Sequence, residues 1–200
     1  MTDFWEKAFQ EKEKMWGMGP AKSTMLTKDF FIKKGVKRVL IPGIGYGRNA
    51  KPFLEHGIEV IGIEISKRAI KLAKQYYNDK ITIYHGSVHH MPFNDNKYDG
   101  IYCYALIHLL DKAERKAFIK NCFSKLNKNG IMVFTAISKK APQFGKGKRI
   151  DENRYEVHKG VQIFYYDLKT ITDEFQKYGL FDILEVQENH PMYLIKCKKE

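Results

Sequence analysis

Apolar positions along the chain switch between helical spacing and short continuous runs, and that alternation predicts the elements. Over residues 3–14, Trp5, Ala8 and Phe9 recur at helical spacing among Glu and Lys, and a loop from Trp16 to Pro20 stops the segment. A second helix is expected over 23–34. Arg38 to Ile41 is a short apolar run that ends at Pro42-Gly43, the pattern of a buried strand. Residues 49–56 follow as a helix closed by Gly57. A strand over 59–63 leads to a helix over 67–77, with Ser66 as its N-cap. Strands are expected over 81–84 and 98–104. Asp111 is placed to cap a helix running to Leu126, and Gly130 precedes a strand over 131–137. Residues 138–160 are polar with little periodicity. A helix over 168–178 and strands over 181–187 and 193–198, joined at His190-Pro191, complete the chain.

Strands separated by helices imply a parallel sheet covered on both faces. The short final turn makes the last two strands an antiparallel edge hairpin. The expected fold is therefore α/β, a doubly wound, seven-stranded, mostly parallel sheet, in one domain over residues 1–200.

Composition narrows the function classes. The start is polar and mixed in charge, unlike a secretory leader, and no run approaches the ~20 apolar residues of a membrane helix. Three widely spaced cysteines, Cys103, Cys122 and Cys197, fit a reducing cytoplasm better than a disulfide framework. The net charge is +12, which invites a nucleic-acid partner. However, 29 of the 35 basic residues are Lys, and they are scattered. A Lys-rich solvated surface is the favoured reading, with nucleic acid kept as an alternative.

The chemistry concentrates where the first strand ends. Gly43-Ile44-Gly45-Tyr46-Gly47 lets the backbone turn sharply and approach a ligand. Glu64 follows Gly43 by 21 residues, at the end of the second strand, where a carboxylate meets ribose hydroxyls in doubly wound sheets. A dinucleotide fingerprint spaces its glycines G-x-G-x-x-G. Here the third glycine comes one residue early and Arg48 occupies the later position.

This G-x-G-x-G turn resembles that of class I S-adenosylmethionine-dependent methyltransferases, which have a Rossmann-like fold. Gly62-Ile-Glu-Ile-Ser-Lys-Arg-Ala-Ile70 is similar to the family's second motif. His85-Gly-Ser-Val88 with Met91-Pro92-Phe93 is similar to the third. Tyr98 to Tyr104 with Leu106-Ile-His-Leu109 is similar to the fourth, and Lys125 to Phe134 to the turn that follows. The resemblance implies S-adenosyl-L-methionine as cofactor, held by Gly43, Gly45 and Gly47, by Glu64 on the ribose, and by Ile65, Ser87, Val88 and Met91 around the adenine. Cys103 comes with the fourth motif. Tyr104 and His108 stand at the methyl-transfer end, His108 as base or substrate-orienting group. Many members carry an acid two residues before the first glycine; this chain has Ile41, which leaves open how the methionine end is held, with Trp16, Arg48 and Asn49 as candidates.

The Pro42-Gly43 form resembles the thiopurine, thiol and halide branch. Arg48-Asn49, Trp5, Trp16 and Gly145-Lys-Gly-Lys148 with Glu152 and Tyr155 look more like the tellurite-resistance branch. The implied activity is in-line methyl transfer to a small-molecule acceptor such as a thiol, halide or chalcogen oxyanion. A nucleic-acid or protein methyltransferase is one alternative, and an NAD-dependent or non-enzymatic nucleotide-binding protein another. No Asp-Pro-Pro-Tyr or Asn-Pro-Pro-Tyr sequence points to DNA bases. His85, His89 and His90 lack a Cys or acid that would complete a metal set. On this reading residues 1–35 form a helical lid, 36–137 the cofactor core, 138–166 a substrate lid loop, and 167–200 the closing helix and hairpin.

Overall fold

A computed structural model describes residues 2–91, 95–158 and 160–200. Two helices, α1 (Thr2–Lys12) and α2 (Lys22–Lys33), precede β1 (Arg38–Pro42), α3 (Lys51–Leu54), β2 (Glu59–Glu64), α4 (Lys67–Tyr77) and β3 (Ile81–His85). Next come β4 (Tyr98–Cys103), α5 (Lys112–Ser124) and β5 (Leu126–Ile137). Three short strands follow, β6 (Lys148–Asp151), β7 (Arg154–His158) and β8 (Val161–Phe164). The chain ends with α6 (Leu168–Phe175), β9 (Leu180–Gln187) and β10 (Pro191–Lys198).

The main sheet has seven strands in the order β3-β2-β1-β4-β5-β10-β9. Strands β1 to β5 run parallel, and β10 is antiparallel to both β5 and β9, as the pattern of elements predicts. Period-two alternation sends side chains to two cores. Leu40 packs on one face with Ile61, Ile63, Ile101 and Phe134. Val39 and Ile41 pack on the other with Val60, Tyr102, Phe31 and Phe53. Local signals agree with this packing. The Ser66 hydroxyl accepts from the Ala69 amide at 3.1 Å and starts α4. Asp111 and Glu114 form a reciprocal capping box on α5 at 2.8 and 2.6 Å.

Three expectations change. The helix expected over 49–56 is a single turn, Lys51–Leu54, because tight turns lead in from Gly47 and Pro52 sits at its start. The fifth strand begins at Leu126, five residues early, and absorbs the Asn129-Gly130 turn. The expected substrate lid loop over 138–166 contains a separate antiparallel sheet, β6-β7-β8. Apart from Arg154 and Phe164, its residues are exposed or half-buried, so no period-two contrast marks it. A buried Arg154 guanidinium anchors this sheet by donating to the carbonyls of Leu109 and Leu110, the first of them at 3.3 Å. Arg115 adds a second donor to Leu110 at 3.1 Å and stacks 3.7 Å from the Phe164 ring centroid.

The order β2-β1-β4 makes the gap beyond the carboxyl ends of β1 and β4 the topological switch point, where ligands bind in open α/β sheets. Gly62 on β2 supports it from below. A Cβ there would meet Ile44 Cγ2 at 2.7 Å and Cδ1 at 2.8 Å. We expect Gly62→Ala to cost about 1–3 kcal/mol in urea unfolding, the range for overpacking, because Ile44 is wedged in the turn above. An unchanged unfolding midpoint would show that the turn is not packed against β2.

Candidate functional site

Backbone geometry builds the floor of the site. Gly43, Gly45 and Gly47 all adopt positive φ, at 68°, 60° and 83°. The amides of Gly43 and Ile44 both donate to the Ile63 carbonyl, at 2.8 and 3.1 Å, which sews the end of β1 to the end of β2. Glu64 then closes the joint. Its buried carboxylate accepts from the amides of Gly45 at 2.8 Å, Ile65 at 2.8 Å and Ser66 at 2.9 Å. Burial raises its pKa, the three amides oppose that rise, and nearby Glu6 adds to it. The carboxylate oxygens carry about four acceptor directions. Three are filled, so one remains on the oxygen that meets Gly45.

A cavity of about 700 Å³ opens over this joint. It lies within the usual ligand-site range of ~300–1,000 Å³. One end is walled by Gly43 to Tyr46, Ile63 to Ile65 and Gly86 to Val88. The other is walled by Tyr104, His108, Ile137, Val161, Ile163 and the turn from Glu188 to His190. Ala105, between the two ends, holds φ at 51° and donates its amide to Thr135 Oγ1 at 2.8 Å. Alanine in this region costs of order 1 kcal/mol, which neighbouring contacts must hold in place.

Aromatic rings roof the first end. Trp16 stacks on Tyr46 with centroids 6.4 Å apart and meets Trp5 at 6.1 Å and Phe9 at 6.0 Å. Tyr46 donates to the Gly17 carbonyl at 2.6 Å. The Glu6 carboxylate accepts from Ser66 Oγ at 2.7 Å, which fixes α1 to the start of α4 and lowers the pKa of Glu6.

The structure brings together Trp16, Gly43, Gly45, Arg48, Asn49, Glu64, Ile65, Ser87, Val88, Tyr104 and His108 on the cavity wall. It does not bring the remaining sequence candidates there. Gly47 serves packing instead: its carbonyl accepts from the Tyr77 hydroxyl at 2.9 Å, and a Cβ there would meet that ring at 2.7 Å. Met91 is buried in the core, and its carbonyl accepts from Asn121 Nδ2 at 3.1 Å. Pro92 and Phe93 lie outside the described residues. Cys103 is fully buried in the core with its thiol against the Leu106 and Ile107 backbone, and burial pushes its pKa up. Strand alternation accounts for this: neighbours of a cavity residue point into the core.

Two wall residues are held by the N-terminal region. Asn49 Oδ1 accepts from the Ala21 amide at 3.0 Å and the Thr24 hydroxyl at 2.8 Å. Arg48 donates to the carbonyls of Trp16 at 3.0 Å and Gly19 at 3.3 Å, and to the Tyr104 hydroxyl at 3.4 Å. Burial and the neighbouring Glu188 raise the pKa of Tyr104. The sequence reading missed Val161, Ile163, Glu188, Asn189, His190 and Met192. One signal bore on the last four: an antiparallel hairpin beside β5 puts the start of β10 at the carboxyl end of β5, and Met192 pairs with Ile137.

Known proteins with this arrangement agree with one another. A methyltransferase-domain family model matches residues 40–134. An uncharacterized methyltransferase of Oceanobacillus iheyensis is 30% identical over 174 residues, covering 84% of this chain and 80% of that protein. The fold is similar to that of 1,6-didemethyltoxoflavin-N1-methyltransferase from Burkholderia thailandensis, solved with 1,6-didemethyltoxoflavin and S-adenosylhomocysteine. That match has a TM-score of 0.77 at 13% identity and covers 99% of this chain and 86% of that one. It is also similar to that of magnesium protoporphyrin IX methyltransferase from Synechocystis PCC 6803, solved with S-adenosylmethionine. There the TM-score is 0.74 at 13% identity, covering 100% of this chain and 95% of that one. With this sheet order, this glycine turn and this relative, the chain belongs to the class I methyltransferase family.

Proposed function

We propose that the chain transfers the methyl group of S-adenosylmethionine to a small-molecule acceptor. One observation carries the reading: a single cavity joins the Gly43–Gly45 turn and Glu64 to Tyr104 and His108. The residues present fit the cofactor. The positive-φ turn leaves a cradle without side chains at Gly43 and Gly45, and Glu64 retains one acceptor direction beside it. Glu64 takes a ribose hydroxyl, Ile65 and Val88 cover the adenine, and Ser87 meets its edge. Trp16 covers the methionine end beside Arg48. When bound, S-adenosylmethionine supplies a sulfonium-activated methyl carbon. The chain has to hold that carbon and the acceptor lone pair in line at about 3–3.5 Å and keep water out.

His108 stands at the transfer end with Glu188 and His190. The Ile137 amide donates to His108 Nδ1 at 3.4 Å, so the proton of the neutral ring sits on Nε2. Burial, aided by His190, lowers the His108 pKa to about 4. His108 is thus a fixed hydrogen-bond donor that orients the acceptor, and an acceptor with a free lone pair needs no deprotonation.

Thermal shifts test the cofactor. A ligand at 100 times its dissociation constant adds about 2.7 kcal/mol of stability. We expect S-adenosylmethionine and S-adenosylhomocysteine to raise the melting temperature, and NAD to leave it unchanged. A shift with NAD alone overturns the proposal. Glu64→Ala bares three buried amides, so it should lose at least roughly 2 kcal/mol without ligand and most of the cofactor shift. A full shift in that variant sinks the ribose assignment.

His108 also marks the acid limb of stability. Its folded pKa, about 4, lies below the ordinary 6.5, so only the unfolded chain takes up this proton between those values. The contribution is complete above pH 6.5 and is lost as pH falls toward 4, by up to about 3 kcal/mol. His108→Gln cannot titrate. Its urea stability should fall less than that of the parent over this window, and parallel curves would contradict a neutral buried His108.

A further inference from the structure

The +12 charge of the chain stops at the cavity mouth. Of its 29 Lys, none lines the cavity among the described residues. The lining carries the carboxylates of Glu64, Glu114 and Glu188 against one guanidinium, Arg48, together with the imidazoles of His89, His90, His108 and His190, the first of them 3.5 Å from Glu114. Arg48 is already engaged by two backbone carbonyls. Glu188 caps α2 by accepting from the Ser23 amide at 2.7 Å and the Lys22 amide at 3.3 Å, and it lies near Tyr104. Leu109, Ile137, Val161, Ile163 and Met192 give the acceptor end an apolar wall. A hydrated oxyanion or halide entering here would lose water without gaining a counter-charge, which is costly.

Resting on the methyltransferase reading, we infer that the acceptor is an uncharged, ring-sized molecule that accepts a hydrogen bond from His108 Nε2, rather than a halide or oxyanion. The aliphatic wall covers its apolar face, and β8 sets which rings fit. The acidic lining favours a cationic sulfonium donor and repels anionic acceptors from the same space. A neutral heteroaromatic nitrogen or thione sulfur suits both conditions, because its lone pair attacks without prior loss of a proton. The bond from that atom to the methyl carbon forms as the carbon–sulfur bond breaks, and the released electron pair stays on the donor sulfur. The acceptor thereby gains the positive charge, which the carboxylates stabilise until a ring proton leaves to water.

The test uses heteroaromatic rings in matched pairs, each ring as its carboxamide and as its carboxylate, together with selenite, tellurite and iodide. Binding to the full chain saturated with S-adenosylhomocysteine is read by ligand-observed NMR, and methyl transfer by radiolabel from S-adenosylmethionine. Binding of S-adenosylhomocysteine is measured first, and its absence would overturn the methyltransferase reading itself. With it bound, carboxamides should bind at least tenfold tighter than their carboxylate partners and include the methylated compounds. Equal binding of the two members, transfer to the inorganic anions, or no ring bound from either set each overturns this inference. Val161→Lys places an ammonium on the acceptor wall and should shrink the carboxamide preference at least fivefold, while the cofactor shift is retained. An unchanged preference in that folded variant also overturns the inference.

Discussion

Three backbone amides converge on one carboxylate, and the site depends on that convergence. Glu64 joins the turn after β1 to the turn after β2 by accepting from Gly45, Ile65 and Ser66. Neither turn belongs to a regular element, so neither has ladder partners for those amides. An alanine at this position would leave the donors buried and unmatched, and the turn would lose the contact that fixes its distance from β2. The same carboxylate faces the cavity. Structural support of the turn and the charge of the cavity wall therefore share one group, and changing its charge acts on both.

The sheet was legible because its strands are buried on both faces and read as continuous apolar runs, as at Arg38–Ile41 and Glu59–Ile63. The glycine-turn end of the cavity was legible for a related reason. Glycine spacing and an acid at a strand end are local patterns, set by backbone geometry within a few residues. The opposite end was not. It is assembled from Ile137, Val161, Ile163 and Glu188 to Met192, which meet only because β10 returns beside β5 and Arg154 draws the small sheet onto the Leu109–Leu110 turn. Those contacts are long-range and involve half-buried residues with no periodic contrast. Gly47, Met91 and Cys103 show the converse, since adjacency to a motif in sequence did not put them on the cavity wall.

Charge distribution separates surface from site. The lysines that dominate the composition cover the exterior, while the cavity holds carboxylates, imidazoles and aliphatic walls. Bulk charge describes how such a molecule meets its surroundings. It says little about what enters a crevice from which water is largely excluded. The neutral, donor-bearing imidazole of His108 follows from the same exclusion, because burial disfavours the charged ring.

The anchoring of β6-β7-β8 through Arg154 has an evolutionary consequence. The small sheet meets the main fold through the 107–110 turn and through Phe164, on which Arg115 stacks, and it supplies Val161 and Ile163 to the cavity wall. Substitutions in that sheet can therefore change two wall side chains while the amides of Gly45, Ile65 and Ser66 keep their partner, so the wall and the Glu64 joint can vary independently.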